Sequence, residues 1–418
     1  MTPLILREGA PARFVELPAP IADALNETQV ARCLRTAQPG VWEVTAGTHI
    51  GVAQVAGLQV IIQPKIPINR LIFLMTYARR PQFHRDDVVT LDSEDDLPQA
   101  LTHAFIRLAT RALDQGLLKG YREIETRLPV LRGRIREADQ LRHHFGRTIP
   151  LEVRYDEFTV DIPENQILLA AAVRLLKMPT TRHKQRAALQ RLRLQLADVT
   201  ATSIIPSWTP SRLNVRYQPA LEIAELILAG MSFEQRVGDV RVTGFLFSMA
   251  KIFEDFVAVA LAEALKPYGG RASFQYPTHL DEDDLVDVRP DFVWLRNGRP
   301  VIVADAKYKA EKPAGVPNAD LYQLLAYCTV LDLPVGHVVY AKGNEPSRQY
   351  TVRRAGTRLI AHTLDLSLSP GELLASIDSL ARMIIPGRVA HADDQRSLPP
   401  ESAMRRTKPC SDLSPLSY

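Results

Sequence analysis

The spacing of apolar residues changes character along the chain. In residues 1–66 the runs VWEVTAG, HIGVAQVAG and LQVIIQPKI alternate or are β-branched between glycine breaks, which predicts a small meander of strands. TQVARCLRTAQ (28–38) has helical spacing, and INRLIFLMTYARR (68–80) switches to a helix. HRDDVVTLDSEDDLPQ (84–99) carries many acids and little bulk, as a solvated loop or link does. Residues 97–240 read as mainly helical. LPQALTHAFIRLATRALDQGLL is amphipathic. In YDEFTVDIPENQILLAAAVRLL, Asp161 is placed to cap a helix, with Pro163 in its first turn and Glu164 completing a capping-box spacing. TRHKQRAALQRLRLQL (181–196) is a strongly basic helix, either a solvated face or a contact for DNA phosphates.

From Gly244 the pattern becomes one long helix, GFLFSMAKIFEDFVAVALAEAL, then a strand, an acidic loop, a hairpin, a helix and a strand. After Pro386 the chain is polar and rich in proline and serine, the composition of a disordered tail. The expected organisation is a multidomain α+β chain: a β-rich N-terminal region (1–83), a mainly helical middle (84–240), a C-terminal α/β domain (241–386) and a tail (387–418).

Composition narrows this little. The chain has 418 residues, 46% of them apolar and 23% charged, in the ordinary globular range. A net charge of +4 permits a phosphate-rich partner without demanding one. The three cysteines, Cys33, Cys328 and Cys410, form no CxxC pair, so a zinc ribbon or a four-cysteine cluster is not expected. They suit reduced thiols in the cytoplasm. No basic segment followed by a long apolar run opens the chain, and LIFLM (71–75) is far too short to span a bilayer, so neither a leader nor a membrane span is expected.

The candidate chemistry lies in RPDFVWLRNGRPVIVADAKYKA (289–310). Here an apolar hairpin carries Asp291, Asp305 and Lys307. Buried charges cost on the order of several kcal/mol each unless they are paired or bind an ion. Asp305 and Lys307 are two apart and share a face. A two-residue Asn-Gly turn would set Asp291 opposite Ala304, on the wrong face. A three-residue loop, Arg296-Asn297-Gly298, or a bulge near Pro290 would bring Asp291 to within about 7–8 Å of Asp305 on the diagonal. Two converging carboxylates suit Mg²⁺, and a lysine beside them suits an attacking water or a phosphate. Glu254 lies on the apolar stripe of the preceding helix and is a third candidate ligand, whereas Asp255 lies with Ser248 and Lys251 toward water. Gln323 and Tyr327 stand one turn apart on the helix NADLYQLLAYCTVL. Tyr308 and Lys309 are weaker candidates for phosphate contact.

The order helix with Glu254, Pro290-Asp291, Asp305-Ala306-Lys307, then Gln323-Leu-Leu-Ala-Tyr327 resembles the PD-(D/E)xK nuclease superfamily. VADAKYK followed by DLYQLLAYC, with upstream IIQPKI, LMTYA, LRGRI, DIPENQIL and RLNVRYQPALEIAELIL, further resembles the McrC family, the nuclease subunits of McrBC-type modification-dependent restriction systems. The likeness runs over roughly residues 45–345. It implies a restriction-endonuclease-like C-terminal domain and Mg²⁺-dependent cleavage of double-stranded DNA. It also implies a partner McrB-like AAA+ GTPase hexamer that reads modified cytosine and whose hydrolysis this subunit stimulates. In that picture Asp291, Asp305 and Glu254 hold Mg²⁺, Lys307 serves the water or phosphate, and Gln323 and Tyr327 support the site or touch DNA. The chain has no Gly-Lys dipeptide and so no Walker A loop, which leaves the motor to another chain, and the β-rich N-terminal region (1–83) and the helical middle are the parts expected to dock with it. Two alternatives are a stand-alone DNA-repair exonuclease of the same superfamily and a non-catalytic adaptor that only stimulates an AAA+ ring.

Overall fold

Segments nearly two hundred residues apart meet in one sheet. The computed structural model describes residues 3–81, 96–178, 181–202, 204–308, 316–341 and 347–385. The acidic stretch 84–95, Lys309 and the tail from 387 lie outside the described residues. In order of adjacency the sheet is Leu4–Arg7, Leu58–Gln63, His49–Val55, Val240–Ser248 and Met231–Val237, the last two forming a hairpin. Val240–Ser248 runs antiparallel to His49–Val55 from Val242↔Val55 to Ser248↔His49. The approach is close at Gly51, where φ is +130° and a Cβ would stand 2.2 Å from the Phe245 carbonyl oxygen, so only glycine fits. The strand spans residue 241 and ties the segment after it to the N-terminal sheet.

A second sheet, Arg13–Glu16, Val41–Ala46 and Ala31–Arg35, packs beside helix Ala19–Glu27. The helical spacing of 28–38 is therefore overridden. Ala31 and Cys33 alternate with exposed neighbours, and the Asn26 side chain bonds both the N–H and the carbonyl of Cys33, at 2.8 and 3.0 Å. That satisfies the free edge of a strand rather than a helix turn.

The middle region contains the expected helices Leu97–Leu113, Pro163–Leu176, His183–Gln195 and Gln218–Ala229. It also contains an unexpected antiparallel sheet, Gly120–Leu128, Leu151–Thr159 and Arg134–Ile135, carrying helix Glu137–His143. Asp161 does not cap the helix at Pro163. The N-cap position is Ile162, and the Asp161 carboxylate instead accepts from Gln166 Nε2 and Thr200 N and pairs with Arg122.

The C-terminal sheet has the order Arg271–Phe274, Phe292–Arg296, Arg299–Lys307, Val335–Ala341, Arg358–Leu364, Arg348–Thr351. Its first three strands are antiparallel, and Arg299–Lys307 pairs in parallel with Val335–Ala341. One face, with Ile302, Ala304 and Ala306, belongs to the main core together with helices Met249–Leu265 and Pro370–Ile384. The other face, with Val293, Val303 and Val338, packs with Leu324 and Tyr327 of helix Asn318–Val330. The expected long helix from Gly244 starts only at Met249, because residues 244–248 belong to the strand that enters it. Ser248 caps it, its Oγ accepting from Lys251 N at 3.3 Å. Among the described residues no helix is long and apolar enough to cross a membrane.

Candidate active site

The hairpin that carries the candidate carboxylates solves its register in a way the sequence did not suggest. The turn is the two-residue Asn297-Gly298, with φ of +51° and +77°, and Arg296 pairs with Arg299. Left alone, that turn would put Asp291 opposite Ala304. The correction comes from a bulge inside the strand: Trp294 pairs with Ile302 and Leu295 with Pro300, so Val301 is the extra residue. Beyond it Phe292 faces Ala304, and the next step sets Asp291 across from Asp305. Neither a three-residue loop nor a bulge at Pro290 is used.

The two carboxylates meet. Asp291 stands within hydrogen-bonding reach of Asp305. Its Oδ2 accepts from the backbone N–H of Ala306 at 3.1 Å, and its Oδ1 accepts from Gln275 Nε2 at 2.8 Å. Asp305 is 4% exposed, and Lys307 Nζ lies 2.6 Å from its Oδ2. Burial, with the charge of Asp291 behind it, holds the Asp305 carboxyl well above the usual carboxylate range despite Lys307. For Lys307, burial works against the ammonium, but Asp305, Asp291 and Asp320 more than reverse this and its pKa is raised.

Glu254 faces the same point from the helix. With Val257 and Ala258 it lines a narrow cleft shared with Asp291, Phe292, Asp305 and Ala306. Partial burial and the charge of Asp291 raise its pKa. Asp255 instead faces water, pairing with Lys251 at 2.7 Å.

From the opposite helix, Gln323 Nε2 donates to the Tyr327 hydroxyl at 2.8 Å, which in turn donates to the Arg289 carbonyl at 3.3 Å. Tyr327 is buried, and burial together with Asp305 and Asp291 raises its pKa. The pair thus braces the segment leading into Pro290-Asp291. Tyr308 is turned away from the carboxylates. Its hydroxyl donates to Glu8 Oε2 at 3.1 Å, and Lys65 Nζ stands 4.3 Å over its ring. Glu8 also accepts from Lys65 N at 3.3 Å, so the end of the Asp305-Lys307 strand is fastened to the N-terminal sheet.

Gln275 was missed by sequence reasoning. It sits sixteen residues before Asp291 on a neighbouring strand end, with a φ of +47°, and no local motif marks it.

Among the described residues no three His, Cys, Asp or Glu side chains are already gathered as a metal cage. What the site holds is three carboxylates, two of them, Asp305 and Glu254, with pKa values raised by burial and by the charge of Asp291, and one lysine against them.

A model of the McrBC 5-methylcytosine restriction system component family matches residues 44–341. Among solved structures, a chain of a refined half-complex from a tetradecameric assembly of Thermococcus gammatolerans McrB AAA+ hexamers with bound McrC is similar at a TM-score of 0.56 and 18% identity. The match covers 92% of this chain and 100% of that one. A chain of the Thermococcus gammatolerans McrBC complex is matched at a TM-score of 0.38 and 20% identity, over 63% of this chain and 88% of that one. A search of curated protein sequences finds no match. The family model spans well over half of the residues, and the chain therefore belongs to the McrBC family of 5-methylcytosine restriction system components.

Proposed function

We propose that the chain is the DNA-cutting subunit of a modification-dependent, type IV restriction system, hydrolysing phosphodiester bonds with Mg²⁺ in company with an McrB-like AAA+ GTPase ring. The observation that carries this reading is the convergence of Asp291, Asp305 and Lys307, produced by a bulge whose effect is to bring the first two face to face. The order around them, a helix, three antiparallel strands of the sheet, a helix and a parallel strand, resembles that of the PD-(D/E)xK nucleases and supports the reading.

The donor set fits a hard divalent cation. Asp291 and Asp305 repel one another, and Glu254 is destabilised as an anion by Asp291. A cation held by Asp291, Asp305 and Glu254 would relieve all three, with carboxylate oxygens of the kind Mg²⁺ prefers. When bound, Mg²⁺ supplies Lewis acidity at the phosphate and a more acidic water. The chain's own residues do the rest. Gln275 and the Ala306 N–H fix both oxygens of Asp291, so its orientation is set in advance. Lys307, released from Asp305, orients the attacking water or offsets charge on the phosphate. Tyr327 and Gln323 hold the approach to Pro290-Asp291 in place.

The GTPase ring is assigned to the sheet of residues 120–159. That sheet exposes Tyr121 (77%) and Phe158 (58%), their rings tilted against one another at 5.1 Å, and the helix Glu137–His143 and the turn after it expose Leu141 (65%) and Phe145 (88%). So many large apolar side chains turned to water within one small region mark a surface that another protein covers. A ring of AAA+ subunits is the occupant that the family supplies, and it would read the modified cytosine. Reconstitution tests the reading: the chain with its GTPase should cut methylated DNA only when both GTP and Mg²⁺ are present. Robust cutting by the chain alone would favour a stand-alone exonuclease instead.

A further inference from the structure

Beside the carboxylates the surface opens into a groove of about 500 Å³. That is within the roughly 300–1,000 Å³ typical of small-molecule sites. It lies where helices Ile68–Arg79 and Gln218–Ala229 end, where helix Met249–Leu265 begins, and along the end of strand Arg271–Phe274. Its walls are mostly apolar, with Leu246, Ile252 and Val259 among them, and the Phe274 ring is 49% exposed. Two cations also line it, Arg79 and Lys251, together with Asp255, the carboxylate paired with Lys251. At one end it is bounded by Glu254, Gln275 and Asp291, the groups that build the candidate metal site.

The occupant has to satisfy all three features together. It needs a flat apolar body, an anionic link, and a position continuous with a phosphodiester at the carboxylates. A nucleotide of the substrate strand does so; a peptide or a lipid does not account for the shared end. We infer that this groove binds the nucleotide adjoining the scissile phosphate, its base unstacked from the duplex against Phe274 and Ile252 and its phosphate met by Lys251 and Arg79. The inference rests on the nuclease reading. Lys251 is available for this: its partner Asp255 forms a solvent-exposed pair one turn away, which exchanges readily for a phosphate. The base–aromatic contact offsets the loss of stacking in the duplex and is tolerant of sequence.

The test uses the full complex with its GTPase and DNA carrying 2-aminopurine at each position flanking the mapped cut, with Ca²⁺ replacing Mg²⁺ to hold the substrate intact. Fluorescence should rise at one flanking position. Ile252→Trp, which fills the groove, should abolish that rise and lower kcat/KM for cleavage in Mg²⁺ about tenfold, while stimulation of the partner's GTPase stays at the wild-type level. Lys251→Ala should weaken DNA binding and reduce its salt dependence by about one phosphate contact. Wild-type cleavage rates in Ile252→Trp, or an unchanged fluorescence at both flanks while the wild-type complex cuts, would overturn the groove proposal alone. A wild-type complex that does not cut at all would overturn the nuclease reading, and this proposal with it.

Discussion

At the residue scale, the three charges of the candidate site were visible in the sequence because an apolar hairpin cannot carry Asp291, Asp305 and Lys307 without a reason. What fixes them was not visible. Gln275 reaches Asp291 across strands, and Glu8 reaches Tyr308 across three hundred residues. Such partners leave no local spacing to read. Gln275→Leu should leave the fold intact and raise the Mg²⁺ concentration needed for half-maximal cleavage about tenfold, as loss of a group orienting a ligand does. A metal titration of the cleavage rate checks this.

A second buried pair sets acid behaviour. His337 Nδ1 and His362 Nε2 lie 3.0 Å apart, both 5% exposed. Burial, and for His337 the neighbouring His362 and Arg358, push their pKa values down to about 3 and about 4. In the unfolded chain histidine titrates near about 6.5. Between those values the unfolded state binds more protons than the folded one, so stability is full above about pH 6.5 and is lost as pH falls toward 4. At pH 5 the loss is on the order of 2 kcal/mol for each histidine. Replacing both by leucine should flatten the dependence of the urea midpoint between pH 7.5 and 5; an unchanged slope would contradict the assignment.

Elements were legible where one face of them is deeply apolar and obscure where neither face is. The strands at 41–63 and the helices at 68, 97, 163, 183 and 218 follow their periodicity. The strands at 120–128 and 151–159 escaped because their inward positions are mostly only half-buried and carry few bulky apolar residues. Along the outward face Glu123 and Glu125 on one strand answer Arg154 on the other, which reads in sequence as a solvated charge run. The hairpin at 292–307 shows the limit from another side. Its turn was legible from Asn-Gly, yet the register depends on where the ladder yields, and Val301 carries no signal of that. Inserting one alanine between Val301 and Ile302 should shift the ladder beyond the bulge by one residue, set Asp291 opposite Ala304, and reduce cleavage at least a hundredfold while the circular dichroism spectrum is retained. Cleavage within threefold of wild type would show that this register does not set the site.

For the whole molecule, the consequential feature is that the candidate site is attached to the N-terminal sheet at two points. Strand Val240–Ser248 of that sheet runs directly into the helix bearing Glu254, and Tyr308 at the end of the Asp305-Lys307 strand is bonded to Glu8. Sequence order hid this, because adjacency in the sheet joins residues 49–55 to residues 240–248. The sheet at 120–159 offers a separate exposed surface, so docking and cutting should be separable by mutation. Phe145→Asp is expected to lower stimulation of the partner's GTPase at least tenfold, the loss of an interface anchor, with thermal stability unchanged. Co-sedimentation with the ring and GTP turnover measure it; undiminished stimulation would place the docking surface elsewhere.

The central claim is that Asp291, Asp305 and Lys307 cut DNA around a divalent cation. Single-turnover cleavage of methylated DNA by the reconstituted complex tests it most directly, with Asp305→Asn compared against wild type and GTP turnover followed in the same reaction. The account predicts cleavage reduced at least a thousandfold with GTPase stimulation preserved, in keeping with the loss of a charge that acts in the transition state. Equal cleavage by the two proteins would contradict it and leave the chain as an adaptor for the ring.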